Sequence, residues 1–86
     1  MMEIREIFAR NLRAARRAKG LSQEELAHRA DLDRTYISSL ERRIYSATID
    51  VVDRLASVLG MEASDLLQRS AETQEPPSLD PGKDQL

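Results

Sequence analysis

Residues 20–41, GLSQEELAHRADLDRTYISSLE, decide how this chain folds. They hold two short helical patterns separated by a tight break. Ser22 followed by Glu25 reads as a capping box: the hydroxyl accepts an orphan N–H and the glutamate reaches back to the cap. Leu26, Ala27 and Ala30 then share one apolar stripe at helical spacing. Asp31-Leu32-Asp33 interrupts the stripe, and Asp33 can cap a second helix running through Ile37 and Leu40. Only those two large residues of the second pattern are apolar. The remainder is Arg34, Thr35, Ser38, Ser39 and Arg42, with Tyr36 at the edge, a polar face suited to meet something outside the chain.

Working outward, the spacing predicts a first helix over residues 3–19 with Ile4, Phe8, Leu12 and Ala15 inward. Gly20 supplies the left-handed residue that commonly ends a helix. After a loop over 43–47, Thr48 caps a fourth helix with Ile49, Val52, Leu55, Ala56 and Leu59 inward, ended by Gly60. A short fifth helix holds Leu66 and Leu67, with Glu62 a poor cap. Strand-like alternation is absent, so the fold class is all-α with five helices. Residues 1–69 form one domain. Residues 70–86 contain all three prolines and little apolar content, and read as a disordered acidic tail.

Eighty-six residues suffice for one small core. No window approaches the roughly 18 consecutive apolar residues of a membrane helix, so the expectation is a soluble chain with no membrane partner. The start, MMEIREIF, lacks the apolar run of a secretory signal. Cysteine is absent, which excludes disulfides and thiolate chemistry and fits a reducing cytoplasm. The net charge of −2 appears to oppose a nucleic-acid partner. The distribution reverses that reading: Glu72, Glu75, Asp80 and Asp84 sit in the tail, whereas Arg5, Arg10, Arg13, Arg16, Arg17 and Lys19 crowd the first helix against Glu6. A local basic patch is what phosphates sense at a screening length of roughly 8 Å.

Two short helices joined so closely fit a helix-turn-helix, whose second helix enters the DNA major groove. Here a resemblance becomes specific. A glutamine (Gln23) opening helix two, an alanine (Ala27) inside it, and Ile37-x-x-Leu40-Glu41 closing helix three resemble the Xre-type family of lambdoid phage repressors, over about residues 5 to 67. Within that family LDRTYISSLER, with the later Thr48-Ile49, is similar to the controller proteins of restriction–modification systems.

The resemblance implies a site. Arg34, in the first turn of helix three, is the leading candidate for base readout, because a guanidinium meets the O6 and N7 of guanine bidentately, worth about 1–3 kcal/mol of discrimination. Thr35, Ser38 and Ser39 are further base-contact candidates. Gln23, Tyr36, Arg42, Arg43 and Arg17 are expected at the DNA backbone, Gln23 together with the helix N-terminus beside it. Arg16 and Glu41 match family positions that pair across helices one and three, a structural ion pair. The small core favours a homodimer, with Val51, Val58, Met61 and Leu66 as its interface. Two recognition helices about 34 Å apart would then read a palindromic operator on double-stranded DNA.

One position departs from the family, which has glycine or asparagine after the residue that follows Leu-Glu. Arg43 stands there, and a positive φ would be costly for arginine, so the sequence predicts a different loop course. His28 stands without partners for a metal site, no cofactor is implied, and no small-molecule ligand is evident. An enzyme fails on inventory: there is no thiol, no second histidine and no phosphate-cradling glycine loop. The reading is a sequence-specific DNA-binding transcriptional regulator in the cytoplasm. The alternative is a protein-interaction module such as the antitoxin of a toxin–antitoxin pair.

Overall fold

The structure is a computed structural model and describes residues 3–69; the tail assigned to 70–86 lies outside the described residues. Five helices follow in order: α1 (Ile4–Ala18), α2 (Gln23–Ala30), α3 (Arg34–Glu41), α4 (Ile49–Leu59) and α5 (Ala63–Leu66), with no strand among the described residues. Helices α2 and α3 pack on each other, α4 pairs with α5, and α1 bridges α3 and α5.

Side-chain caps start three of the helices. Ser22 Oγ accepts from Glu25 N–H at 3.0 Å while Ser22 N–H donates to Glu25 Oε1 at 2.9 Å. Those bonds hold the exposed Glu25 carboxyl below its ordinary pKa, the hydrogen bond from the Ser22 backbone contributing most. Asp33 Oδ1 accepts from Thr35 N–H at 2.7 Å, and Thr48 Oγ1 from Val51 N–H at 3.1 Å. At α5 the reverse half of a box compensates for Glu62, whose N–H donates to Asp65 Oδ2 at 3.0 Å.

Four helices end in the same way. In α1 the N–H groups of Gly20 and Leu21 return to the carbonyls of Arg17 and Arg16. Asp31 and Leu32 return to His28 and Ala27, Arg43 and Ile44 to Leu40 and Ser39, and Gly60 and Met61 to Ser57 and Ala56. This crossed pair satisfies carbonyls that a helix end leaves orphaned, and it needs one left-handed residue. Those residues are Gly20 (φ 73°), Asp31 (φ 59°), Arg43 (φ 65°) and Gly60 (φ 71°). The expected detour at Arg43 is therefore corrected. The loop keeps the positive φ and arginine adopts it, because the paired hydrogen bonds at the end of α3 require that turn.

The core is Phe8, Leu12, Leu26, Ile37, Leu40, Leu55, Leu59 and Leu66 with smaller neighbours, all buried. Spacing located most of these but not which helix ends overhang the core. Ile4 and Ile49, both expected inward, are 52% and 82% exposed because each sits at the first turn of its helix, beyond the last packed layer. Ile7, Ala9 and Leu21 are buried instead. Leu66 also departs from expectation: with no exposed surface, it plugs the chain's own core and has nothing to offer a partner.

Candidate nucleic-acid interface

Helix α3 is fastened from below. Ile37 and Leu40 are fully buried, and so is the side chain of Glu41. Glu41 Oε2 accepts from Arg16 Nε at 2.7 Å and Oε1 from Arg16 Nη2 at 3.0 Å, a two-pronged pairing across 25 residues of sequence. Gln23 Nε2 donates to the same Oε1 at 3.1 Å, and Arg13 Nε reaches it at 3.5 Å. Arg16 uses its remaining prong, Nη1, on the carbonyl of Leu21 at 2.9 Å. One carboxylate thus ties α1, the first turn of α2 and the last turn of α3 together.

Burial alone would push the Glu41 carboxyl up. The hydrogen bonds from Arg16 and Gln23, with the Arg16 charge, outweigh it and hold the group below the usual carboxylate range. The hydrogen bond to Glu41 raises Arg16 in turn. Both groups are charged at neutral pH, so the joint is a satisfied buried ion pair. Removing one partner would strand the other.

With its underside fixed, α3 leaves Arg34 and Thr35 exposed and Ser38 partly so. Arg34, Ser38 and Arg42 recur at intervals of four, so they line one stripe. Ser39, expected among the base-contacting residues, is only 7% exposed: it faces the interior with Ile37 and Leu40. The candidates for base contact therefore narrow to Arg34, Thr35 and Ser38. Tyr36 is half-buried against the core, and its ring lies 6.4 Å from that of Tyr45, tilted by 38°. Sequence reading did not foresee that pair, since Tyr45 belongs to the loop whose course was misjudged.

Gln23 spends one amide N–H on Glu41. An amide nitrogen carries two, so a second donor remains beside the N-terminus of α2. Arg17, Arg42 and Arg43 line one open cleft, of about 570 Å³, together with Arg10, Arg13 and Glu6. Arg43 Nη1 stands 3.4 Å from Glu6 Oε2. Arg13 and Glu6 were missed as site residues. The signal was available, because Glu6, Arg10, Arg13 and Arg17 recur at helical spacing and share one face of α1. Of the residues expected at a dimer interface, Val51 and Val58 of α4 and Met61 just after it are partly buried against the core, and Leu66 is wholly buried. Among the described residues, no three acidic or histidine side chains gather as a metal site would need, and no helix is long and apolar enough to cross a membrane.

Comparison with known proteins agrees with this architecture. Residues 12–66, from the middle of α1 to the end of α5, match the family described as Helix-turn-helix. A hypothetical transcription factor of Neisseria meningitidis serogroup B is 42% identical over 65 residues, 76% of this chain; the chain spans 61% of that relative's length. The crystal structure of hypothetical transcription factor NHTF from Neisseria superposes with a TM-score of 0.78 at 40% identity, covering 81% of this chain and 80% of that one. Control protein C.SmaI of Serratia marcescens is 43% identical over 68 residues, covering 79% of this chain and 81% of that protein. The biofilm regulator SinR, solved in complex with DNA, aligns at 29% identity and a TM-score of 0.68 over 71% of this chain and 98% of its own. With its matched residues extending from α1 through the recognition hairpin to α5, the chain belongs to the helix-turn-helix family.

Proposed function

We propose that the protein is a sequence-specific DNA-binding regulator of transcription, acting in the cytoplasm with α3 in the major groove. The observation that carries this reading is the contrast within α3. Its lower face is locked by Ile37, Leu40 and the Glu41 joint, while Arg34 and Thr35 are exposed and Ser38 is partly so. A helix held so firmly by one face while offering another is suited to groove readout, in which the first turn meets base edges. Arg34 reads guanine and Thr35 contacts a thymine methyl or a phosphate. Gln23, Arg42, Arg43 and Arg17 hold the backbone, and Tyr36 lies at the edge of the contact.

The active species is a homodimer on a palindrome. Val51 and Val58 lie seven residues apart on one stripe of α4, and with Met61 they leave an apolar strip that a second copy would cover. The likeness to control protein C.SmaI supports a role as controller of a restriction–modification system, governing its own gene and that of an endonuclease.

Selection from a random duplex pool near physiological salt, followed by sequencing, tests the reading. Enrichment of an inverted repeat is the expected outcome. Weak, salt-sensitive retention with no enriched sequence would overturn it and favour the interaction module instead.

A further inference from the structure

The cleft between α1 and the end of α3 has a composition that α3 readout does not require. Five arginines, Arg10, Arg13, Arg17, Arg42 and Arg43, are among its lining residues. Its two carboxylates are unequal. Glu41 is fully buried and already taken up by Arg16, whereas Glu6 is 38% exposed and faces Arg43. Arg13 occupies the middle of the α1 face. Its side chain is 44% exposed and only its Nε leans on Glu41, at 3.5 Å, so a planar fork with further donors is left toward the cleft.

Placement points the same way as charge. The stripe Arg34–Ser38–Arg42 leads along α3 straight into the cleft and spans roughly 12 Å at a rise of 1.5 Å per residue. The major groove is about 12 Å wide. A helix entering it with its first turn on the bases leaves its last turn at the rim, where a phosphodiester strand runs.

We infer that this cleft receives the sugar–phosphate backbone flanking the half-site, with Arg13 as its central phosphate contact and Glu6 as a built-in competitor for Arg43. The inference rests on the DNA-binding reading and deepens it. The α1 face becomes a second, sequence-independent contact region, and Glu6 limits the affinity that five arginines would otherwise give. A phosphate displaces Glu6 from Arg43 on binding, which lets the chain release non-specific DNA more readily.

The test is a salt titration of affinity for the full chain on two duplexes, one carrying the selected site with flanks and one of random sequence. Each neutralised phosphate contributes about −0.9 to the slope of log affinity against log salt. R13Q is expected to flatten that slope by about one per bound protomer and to weaken binding about three- to tenfold on both duplexes alike. R13K, which keeps the charge, should restore the slope even where the Glu41 contact changes. E6Q should tighten binding about two- to threefold on both duplexes. An unchanged slope in R13Q and an unchanged affinity in E6Q, with R34A still weakening the selected site, would overturn the cleft proposal and leave the DNA reading intact. Failure of the selection to yield a site, with R34A binding random duplex as the parent chain does, would remove the sequence-specific DNA reading itself.

Discussion

Helices α3 and α4 are built on one plan and finished differently. Each begins with a side-chain cap, Asp33 for one and Thr48 for the other, and each ends in the same crossed pair of hydrogen bonds around a left-handed residue. In α4 that residue is Gly60, and the buried face is Val52, Leu55, Ala56 and Leu59. In α3 it is Arg43, and the buried face includes Ser39 and the charged Glu41. Helix α4 thus ends on a glycine and buries only apolar side chains. Helix α3 carries two expensive features, a left-handed arginine and a buried carboxylate, on the element whose outer face is left unpacked. Local costs of this kind collect where a surface is kept for a partner, and the rest of the fold compensates for them.

Breaking the charged joint has the largest expected effect. Glu41→Ala should destabilise the fold by about 3–5 kcal/mol, because it strands the Arg16 guanidinium inside. Urea unfolding would check it, and a loss below about 1 kcal/mol would mean that α3 is held by its apolar residues alone, like α4. The joint also has a pH signature. Since Glu41 titrates below its unfolded value, its contribution is complete above the ordinary carboxylate range, near pH 4.3, and is lost as pH falls from there through the lower folded value. The acid limb of a stability profile should therefore be flatter in Glu41→Gln than in the parent chain.

The helix ends come next. A Cβ on Gly60 meets only the flexible end of Lys19, 3.5 Å away at Nζ, so Gly60→Ala isolates the backbone penalty and should cost about 1–2 kcal/mol. The two caps should respond alike, at about 1 kcal/mol each for Asp33→Ala and Thr48→Ala, since this is where the helices do not differ. Smallest and opposite in sign, Arg43→Gly should stabilise the fold by about 0.5–1 kcal/mol, the relieved strain exceeding the entropy of the added glycine. It should weaken DNA binding at the same time, and thermal melts with parallel binding curves would show whether the two effects separate.

What could be read in the sequence follows the reach of each interaction. Ser22, Asp33 and Thr48 were legible as caps because a cap oxygen and the N–H that donates to it lie within three residues. The stripe of α2 was legible for the same reason. The Arg16–Glu41 pair spans 25 residues, and only resemblance to a family suggested it. Periodicity gave the buried face of each helix but not its height in the core, so Ile4 and Ile49 were placed inside and Leu66 at a surface. Ser39 shows the same limit in reverse. On a helix with few apolar residues, the polar residue beside Leu40 looked outward and is in fact covered. Arg43 was misjudged because steric preference was weighed against nothing: the hydrogen bonds that impose its φ join groups whose pairing only the folded turn reveals.

The four matched helix ends have a kinetic consequence. Each stops its helix at a defined residue and turns the chain within a few positions, so α2 meets α3 and α4 meets α5 across short connections. Closing short loops takes tens of nanoseconds, and helical domains rich in local contacts fold in about microseconds to milliseconds. The longest-range closure is that of α5 on α1, where Asn11 Nδ2 donates to the carbonyls of Leu66 and Gln68 at 3.0 and 2.8 Å, 55 and 57 residues away, and closing so long a loop carries the larger entropy cost.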